Sequence, residues 1–455
     1  MERRAASRVL SSRTPPGIDQ SLLLRSRLPR LSDPATFLWA TGIEDTFITA
    51  PWPKTGRTLD EYELTEHYER WREDIDLIAQ LGLSAARYGI PWHRIQPARN
   101  KWDWSFADQT IEHLLGLGIE PILDLVHYGL PPWIEDAFLN RNFPDYMEEY
   151  VARVAGRFAG RVHAYTPLNE PRVTAWYCGK LGWWPPFRKG WRGFVAVMLG
   201  LCRGIVQSVA ALQKSDPENL AVHVDATDLY ESADSTLAEE VERRQEIVFL
   251  ALDLVSGRVD GTHPLRNWLL KNGASEADLD WFEQHALRLE FIGINLYPLF
   301  SRKILARSSH GLRIRMPYAS AEIINQLSQL YWQRYQVPLF ISETASVGPV
   351  KRRRAWLDDS IAAVKKVRQR GIPLVGYTWW PLFALVTWAY RQGAGEPAYY
   401  LKQMGLWDLV ADARGDLQRV ETSLVDAFRE LVRGGCAPVG RLASSAVIER
   451  GAHVS

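Results

Sequence analysis

Residues 165–171 read YTPLNEP, and residues 338–344 read PLFISET. Each stretch is a short apolar run that ends in a carboxylate, Glu170 in the first and Glu343 in the second. A buried parallel strand has this pattern when its C-terminal end opens into a polar pocket. If both strands belong to one barrel, the two carboxylates face each other across its mouth, and such a pair is typical of enzymes that cleave glycosidic bonds.

Eight apolar, strand-like runs follow one another along the chain, and helical patterns separate them. The runs cover residues 37–44, 84–92, 120–128, 162–170, 220–229, 290–298, 337–344 and 374–381. Helices are predicted over residues 64–81, 106–117, 144–158 and 356–370. Glycines such as Gly82 and Gly371 mark where these helices end. Eight alternating units in one chain predict a single closed (β/α)8 barrel, the TIM-barrel form of the α/β class.

The body of the chain shows no internal linker of Pro, Gly or Ser, so residues 34–434 are interpreted as one domain. Residues 1–33 are rich in Arg and Ser and poor in acidic residues, which predicts a disordered basic tail. A transit peptide is the alternative interpretation of this segment, which lacks the apolar core of a secretory signal. Residues 435–455 are small and polar and are predicted to form a C-terminal tail.

The charge and the cysteine content argue against several classes of protein. A net charge of +1 predicts no strong field for nucleic acid or for a membrane surface. No run of 18 apolar residues is present, so no membrane span is expected. The three Cys residues have no CxxC spacing, which favours a reducing, cytoplasmic setting over a disulfide framework or a zinc site. The histidines lack HxH or HExxH spacing and no Gly-rich nucleotide loop is present, so neither a metal nor a cofactor is expected.

The chain contains 19 Trp residues, an unusually high number. Aromatic faces stack on sugar rings, although large barrels also use Trp in their cores and rims. Strand-to-helix loops lie at the catalytic face of a barrel, so the loop expected at residues 172–192 is predicted to wall the pocket with aromatic rings. Its indole side chains are those of Trp176, Trp183, Trp184 and Trp191.

The loop expected after the sixth strand is basic. Residues 301–316 carry five cations and no acidic residue. The cations are Arg302, Lys303, Arg307, Arg313 and Arg315. We interpret this run as a plain solvated loop, and the alternative is a contact with an anionic group of a substrate.

Eight motifs occur in order over about residues 36–410. They read FLWATG, RYGIPWHRIQP, VHYGLPPWI, LNEP, FIGINLYP, FISET, GYTWWPL and MGLWDLV. In the same order, they resemble the motifs of glycoside hydrolase family 1, the β-glucosidase and 6-phospho-β-glycosidase family. LNEP alone is weakly specific, but the ordered set implies the barrel fold and the retaining chemistry of that family.

The resemblance implies the catalytic roles. Glu170 would be the general acid/base and Glu343 the nucleophile. Asn169 would bind the sugar 2-hydroxyl, and Arg87 and Tyr297 would flank the nucleophile and keep it ionised. Since the family retains configuration, the two carboxyl groups are expected to lie about 5–5.5 Å apart.

The same resemblance implies three further contacts. His127 would contact a sugar hydroxyl, Asn295 would support the site, and Trp380 would stack beneath the sugar.

The departures from the family pattern fall mainly on sugar recognition. The family's Gln near the end of the first strand falls by count on Phe47, and Glu44 or Asp45 is the alternative in its place. The family's Glu before the Trp of the last strand-loop is replaced by Thr387, which precedes Trp388. Both family residues grip outer hydroxyls of glucose, so their loss predicts a substrate other than an unmodified glucoside.

The sequence therefore predicts a retaining β-glycosidase that forms a glycosyl-enzyme and acts on a modified sugar or a natural-product glycoside. The expected partner is this small-molecule glycoside. One alternative is a 6-phospho-β-glycosidase, because LVT at residues 385–387 and Lys402 resemble that branch of the family. A transglycosidase, in which an acceptor alcohol replaces water, is a second alternative. A sugar-binding barrel without catalysis is the alternative from another class of protein.

Overall fold

The computed structural model describes residues 33, 35, 37–309, 311–436 and 438–440. Most of both predicted tails therefore lies outside the described residues. Gly440, which belongs to the predicted C-terminal tail, donates a backbone hydrogen bond of 2.8 Å to the Arg368 carbonyl. This short part of the tail lies against the barrel.

Within the described residues, eight parallel strands correspond to the eight predicted runs. They are β1 (Leu38–Thr41), β2 (Ala85–Gly89), β3 (Glu120–Asp124), β4 (Ala164–Thr166), β5 (Leu220–Ala221 continued by His223–Ala226), β6 (Ile292–Asn295), β7 (Leu339–Thr344) and β8 (Leu374–Trp379).

The strands close into a barrel. β2, β3, β4 and the first segment of β5 form one parallel sheet, and the second segment of β5 continues through β6, β7 and β8 to β1. Single parallel bridges, Gly42 to Arg87 and Asn169 to Val224, join the two sheets. The strand order is therefore cyclic, and the predicted (β/α)8 barrel is confirmed.

A helix follows each strand and packs on the outside of the barrel. The helices are α1 (His67–Gln80), α2 (Ser105–Gly116), α3 (Phe143–Arg157), α4 (Gly190–Ser215), α5 (Ala238–Val255), α6 (Glu322–Tyr335), α7 (Val350–Gln369) and α8 (Ser423–Gly434). Gly82 and Gly371, with φ of +73° and +90°, follow α1 and α7 in the left-handed region that ends a helix. The predicted helix positions and their glycine stops are confirmed.

Helix α4 is long and apolar. An 18-residue window within it has a mean hydropathy of 1.8, which is enough by length and composition for a membrane span. The prediction from apolar run length alone did not detect this helix. In the fold, 72% of that window is buried, as in the core helix of a barrel.

The core has two layers. One apolar cluster takes side chains from the barrel strands and their ends and fills the barrel interior. Its members are Leu38, Ala85, Ile122, Ala164, Val222, Val224, Phe291, Phe340 and Val375. The larger cluster lies between the strands and the helices, and it includes Leu339 and Ile341, the neighbours of Phe340 on β7. This alternation along a strand separates the two layers.

The segment at residues 301–316 is a β-hairpin and not a plain loop, although its second strand is largely exposed to solvent, as the interpretation expected. Strands Arg302–Ser308 and Gly311–Arg315 pair in antiparallel, and the first also pairs with Leu229–Glu231, which follows β5. We call this unit the basic hairpin. Its pairing with the segment after β5 fixes it over that side of the barrel mouth.

Other short elements lie between the barrel strands and helices. The paired strands are Phe47–Ile48 with Leu59–Asp60, Leu385–Val386 with Leu401–Lys402, and Trp407–Ala411 with Leu417–Glu421. The short helices are Glu61–Leu64, Trp92–Ile95, Ala137–Leu139, Pro171–Ala175, Trp176–Leu181, Ser235–Leu237, Arg266–Lys271, Glu276–Gln284, Trp388–Gln392 and Pro397–Tyr400.

Candidate active site

A cavity of about 630 Å³ lies at the carboxyl ends of the barrel strands. Glu170 and Glu343 both line it. Other predicted site residues in its wall are Glu44, His127, Asn295, Tyr297, Thr387 and Trp388. The remaining three, Arg87, Asn169 and Trp380, are fully or almost fully buried. The structure thus gathers the predicted site residues at one end of the barrel.

Glu343 owes its direction to an irregularity in β7. The pairing register between β6 and β7 shifts so that Ile294 faces Ile341 while Asn295 faces Glu343. A bulge of this kind changes which way a strand residue points, and bulges often occur beside active sites. The shift lets Glu343 line the cavity instead of following the strict alternation of the strand.

Two donors hold the Glu343 carboxylate. The Arg87 guanidinium, completely buried, donates to one carboxylate oxygen. The Tyr297 hydroxyl donates to the other at 2.7 Å. A charged donor and a neutral donor on the two oxygens stabilise the ionised form of this carboxyl.

Glu170 sits at a sharp turn between β4 and the helix Pro171–Ala175. Its φ of +44° lies in the left-handed region, which costs a residue with a side chain about 1–3 kcal/mol. Its carboxylate accepts a hydrogen bond from the Tyr128 hydroxyl and another, of 2.8 Å, from Asn295 Nδ2. Unlike Glu343, Glu170 is bound by two neutral donors.

An amide network links the two carboxylates. Asn169 Oδ1 accepts from Arg87 at 2.6 Å and from Asn295 Nδ2 at 3.3 Å. Asn295 Oδ1 in turn accepts from the Ser342 hydroxyl at 2.7 Å. Because Arg87 binds Glu343 and Asn295 binds Glu170, the network fixes both acids relative to each other.

His127 is anchored by buried acids. Its Nδ1 lies 2.6 Å from Asp45 and 3.1 Å from Asp124, and its Nε2 lies 2.9 Å from Asn169 Nδ2. Burial raises the pKa of Asp45 to about 7, and the negative charges of Asp45 and Asp124 outweigh burial and raise the pKa of His127. Asp124 also accepts from Arg87, so one carboxylate orients both residues.

Glu44, and not Phe47, faces the cavity. Glu44 Oε2 accepts from Trp380 Nε1 at 3.0 Å, and its other oxygen lies 3.9 Å from His127 Nε2. Phe47 is buried and packs edge-on against Tyr62 with ring centroids 5.1 Å apart. Of the three positions considered for the family's Gln, which are Phe47, Glu44 and Asp45, only Glu44 lines the cavity.

The aromatic wall is built around Trp388. Its ring packs against Tyr128, Tyr177 and Trp184 at centroid distances of 5.3, 5.2 and 4.9 Å. Tyr177 lines the cavity, as does Trp176. The loop predicted at residues 172–192 therefore contributes aromatic rings to the cavity, in part through short helices.

The other Trp residues predicted for this wall have different positions. Trp184 is buried behind Tyr177, whereas Trp183 is 44% exposed. Trp191 packs on Trp176 and on Trp268 at centroid distances of 5.6 and 5.2 Å. Of the four Trp residues of the loop, only Trp176 lines the cavity.

Arg172, Asp228 and Lys303 form a charged group on the side of the cavity below the basic hairpin. Arg172 pairs with Asp228 at 2.9 Å, and Lys303 lies 3.8 Å from the other oxygen of Asp228. All three side chains line the cavity. Sequence reasoning placed Lys303 in a solvated loop and did not single out Arg172.

Burial shifts the pKa of both central carboxyls. It raises the pKa of Glu170 and that of Glu343, and the charge of Glu170 raises the pKa of Glu343 further. Arg87 acts in the opposite direction on Glu343, and Tyr128 does so on Glu170. Two neighbouring buried carboxyls of this kind retain one proton between them at a pH where exposed carboxyls are ionised.

Two groups of side chains bring possible metal ligands within 4.8 Å of one another among the described residues. One consists of Glu44, Asp45 and His127, and the other of Glu246, Asp253 and His263. In the first group, the His127 side chain already pairs with the Asp45 carboxyl group. In the second, Arg334 donates to Asp253 at 2.6 Å and to Glu246 at 2.8 Å, so a guanidinium supplies the positive charge.

Tyr128 is the main residue of the site that sequence reasoning missed. It is buried, adopts φ of +67° and donates to Glu170. A signal was present in the motif VHYGLPPWI, where Tyr128 stands at the Trp position of the family motif it resembles. The Tyr128 hydroxyl at this position gives the site a donor to Glu170.

A family model and curated relatives both show similarity to family 1 glycosidases. The model of glycosyl hydrolase family 1 matches residues 40–253. Beta-glucosidase 42 from Arabidopsis thaliana is 37% identical over 118 residues, which cover 24% of this chain and 24% of that protein. Aryl-phospho-beta-D-glucosidase BglC from Bacillus subtilis is 29% identical over 163 residues, which cover 30% of this chain and 34% of that protein. The matches thus span about a quarter to a third of these relatives.

A solved structure extends the comparison to almost the whole barrel. The family 1 β-glucosidase from Thermotoga maritima superposes with a TM-score of 0.75 at 21% identity, covering 88% of this chain and 98% of that one. This likeness shows the shared (β/α)8 fold. The ordered motifs and the family model over residues 40–253 agree with this fold, and the chain is similar to glycosyl hydrolase family 1.

Proposed function

We propose that the chain hydrolyses β-glycosides with retention of configuration, through a covalent glycosyl-enzyme. The observation that carries this proposal is the different environment of two carboxyls in one cavity. Glu343 is held by the Arg87 guanidinium, whereas Glu170 is held by the neutral groups of Tyr128 and Asn295. A direct positive charge favours the ionised form more than neutral donors do. The shared proton therefore resides on Glu170, and Glu343 carries the charge.

In the first step, the Glu343 carboxylate attacks the anomeric carbon, and the bond from that carbon to the leaving oxygen breaks. Glu170 gives its proton to the leaving oxygen, so the aglycone departs as a neutral alcohol. The product is an ester between the sugar and Glu343. Arg87 and Tyr297 hold the attacking group in position, which removes part of the entropic barrier.

In the second step, water attacks the anomeric carbon, and the ester bond to Glu343 breaks. Glu170, now ionised, takes one proton from this water, and Glu343 regains its negative charge. Because Glu343 is uncharged while it is esterified, the electrostatic effect that raised the pKa of its neighbour is absent during this step. The pKa of Glu170 is consequently lower in the intermediate than in the free enzyme. Glu170 is then ionised and acts as the base.

The sugar pocket favours a glycoside other than an unmodified glucoside. Thr387 stands in the cavity wall where the family has a Glu, and Glu44 occupies the place considered for the family's Gln. A methyl and hydroxyl group replaces a carboxylate at the first position. A carboxylate that accepts from Trp380 replaces an amide at the second. These changes alter the hydrogen bonds available to the outer hydroxyls, and they support a modified sugar or a natural-product glycoside.

A 6-phosphosugar is the second candidate substrate. Thr387 and Lys402 both line the cavity, since Thr387 directly follows the strand Leu385–Val386, whose pairing places Leu385 opposite Lys402. A hydroxyl and an ammonium group together suit a phosphate. The similarity to an aryl-phospho-β-glucosidase is consistent with this candidate.

A panel of 4-nitrophenyl β-glycosides that differ at C2, C4 and C6, including the glucoside 6-phosphate, tests both candidates. We expect a neutral modified sugar to exceed the glucoside in kcat/KM by about tenfold, the effect of one or two altered hydrogen bonds. The Thr387→Glu variant should narrow this preference. A rate that is fastest with the 6-phosphate would favour the second candidate. Nuclear magnetic resonance monitors the first anomer released, and initial release of the α-anomer would contradict retention.

The two tyrosines at the carboxylates give a prediction for the pH dependence. Tyr128 lowers the pKa of Glu170 by donating to its charged form, and removal of its hydroxyl in Tyr128→Phe raises that pKa. The general acid then stays protonated to higher pH, so the basic limb of the kcat/KM profile should move upward. We also expect kcat/KM at the optimum to fall by about tenfold, because a charge-assisted hydrogen bond is lost.

Tyr297→Phe is the matched variant for the other carboxyl. Tyr297 donates to Glu343, which must be ionised to attack, so loss of its hydroxyl should move the acidic limb upward. Profiles of kcat/KM against pH for both variants separate the two roles. Movement of the same limb in both variants would contradict the assignment.

A further inference from the structure

Two basic side chains line the side of the cavity below the basic hairpin. Arg172 and Lys303 share the single carboxylate of Asp228, at 2.9 and 3.8 Å. Asp225 lies close to Arg172, but burial raises the pKa of Asp225 far above its ordinary value, which favours its neutral form. Two basic side chains therefore share the carboxylate of Asp228 on this side.

The protein satisfies these cations only in part. Arg172 Nη2 donates to the Ala226 carbonyl at 2.8 Å and pairs with Asp228. Arg172 is 7% exposed, and its Nε has no hydrogen-bond partner among the described residues. The side chain of Lys303 is 16% exposed, and burial together with the charge of Arg172 lowers the pKa of Lys303. A buried charge without full compensation is costly. An anion in the adjoining cavity would therefore be stabilised by the positive charges of Arg172 and Lys303.

This charged side is separate from the part of the cavity that faces the sugar. Glu44, His127 and Thr387 follow β1, β3 and β8, whereas the basic hairpin follows β6 and pairs with the segment after β5. Glu170 lies between them, since it follows β4 and accepts from Asn295 at the end of β6. In the proposed mechanism Glu170 protonates the leaving oxygen, so the leaving group extends from Glu170 toward β5 and β6.

Apolar groups surround the charged ones. The cavity wall here includes Phe300, Ile314, Met316 and Val347. Lys303 Nζ lies 3.1 Å from Met316 Sδ, so the ammonium group lies directly beside this apolar surface. A flat apolar ring that carries an anionic substituent is complementary to such a surface.

We propose that this part of the cavity is a leaving-group subsite for an aromatic aglycone that bears a carboxylate, with Lys303 and Arg172 as the groups that bind the carboxylate. The proposal rests on the proposed glycosidase function, because it names the aglycone of the same reaction. Lys303 is then a residue that determines aglycone specificity.

The test compares 3-carboxyphenyl and 3-carbamoylphenyl β-glycosides of the sugar that the wild type hydrolyses fastest. The two aglycones have almost the same shape and differ in charge. We expect the wild type to favour the carboxylate by about tenfold in kcat/KM, the effect of a charge-assisted hydrogen bond. Lys303→Met, and Lys303→Gln as a second replacement, should reduce this ratio to about one. Lys303→Arg should keep it well above one.

Arg302→Met is the matched control. Arg302 precedes Lys303 on the same strand but pairs with Glu231 at 2.9 Å, and its side chain is 42% exposed. The control removes a neighbouring positive charge and should leave the ratio unchanged. An equal rate for both aglycones in the wild type, or a ratio that persists in both Lys303→Met and Lys303→Gln, would overturn the proposal. A ratio lost in Lys402→Met but not in Lys303→Met would also overturn it, since the anion would then bind on the β8 side.

Calorimetry with the free aglycones separates this proposal from the glycosidase function. If the wild type hydrolyses the 3-carbamoylphenyl glycoside but shows no preference for the carboxylate, the subsite assignment fails and the glycosidase function stands. If no glycoside is hydrolysed, the glycosidase function fails, and binding of 3-hydroxybenzoate is compared with that of 3-hydroxybenzamide. Tighter binding of the benzoate that disappears in Lys303→Met would support the anion site by itself, and equal binding of both compounds would overturn it.

Discussion

A Glu343→Gln variant should lose almost all turnover, with kcat reduced by about 10⁴-fold or more on every β-glycoside that the wild type hydrolyses. The amide has nearly the shape of the carboxylate, and its oxygen still accepts from Arg87 while its NH2 group lies beside the Tyr297 hydroxyl, but it is a poor nucleophile. The loss is therefore chemical, and substrate binding should change little. Steady-state kinetics give the rate, and a 2-deoxy-2-fluoro glycoside should label wild-type Glu343 covalently, which mass spectrometry of the peptide detects.

Glu61→Gln is the control for this replacement. Glu61 is also completely buried, its pKa is raised well above the ordinary value by burial, and it accepts from the Val386 backbone at 3.0 Å. An amide in its place keeps the size and the acceptor, so activity and thermal unfolding should stay close to those of the wild type. Glu343→Gln should also show a single thermal unfolding transition, as a folded protein does. A Glu343→Gln variant with a tenth of wild-type activity, or a label on another residue, would exclude Glu343 as the nucleophile.

The barrel could be predicted from the sequence because its signals are local. Each strand is a short apolar run, and residues such as Gly82 and Gly371 end the preceding helices through their own backbone conformation. Glu170 and Glu343 come at the ends of such runs, so their approach at one end of the barrel follows from strand order alone. The family motifs then supplied candidate roles for the side chains near them.

The parts that could not be predicted depend on contacts between distant segments. The register shift between β6 and β7, which turns Glu343 toward the cavity, leaves no trace in the alternation of β7 itself. The sequence of the basic hairpin contains no acidic partner for its cations, because the acids that pair with it lie after β5. Glu231, for example, pairs with Arg302 at 2.9 Å. Counting residues likewise placed the family's Gln at Phe47, because the turn that directs Glu44 into the cavity was not visible in the sequence.

A Glu170→Ala variant should lose activity in proportion to how poor the leaving group is. General acid catalysis contributes about 10²–10⁴-fold, and an aglycone that departs as an alkoxide needs all of it. The 2,4-dinitrophenolate ion leaves its glycoside without needing a proton. The kcat/KM of the variant for this substrate should therefore fall only slightly. Its second step still lacks a base, and a burst of dinitrophenol followed by slow turnover should appear in rapid-mixing experiments.

Azide distinguishes this role of Glu170 from that of Glu343. In Glu170→Ala, azide fits the space left by the carboxylate and attacks the glycosyl-enzyme without a base, so turnover should increase and the product should be a β-glycosyl azide. In Glu343→Ala, azide takes the place of the nucleophile on the opposite face, and the product should be an α-glycosyl azide. Nuclear magnetic resonance of the products separates the two configurations. A Glu170→Ala variant that is equally slow with every leaving group and is not accelerated by azide would show that Glu170 is not the acid/base, even though Tyr128 and Asn295 direct it into the cavity.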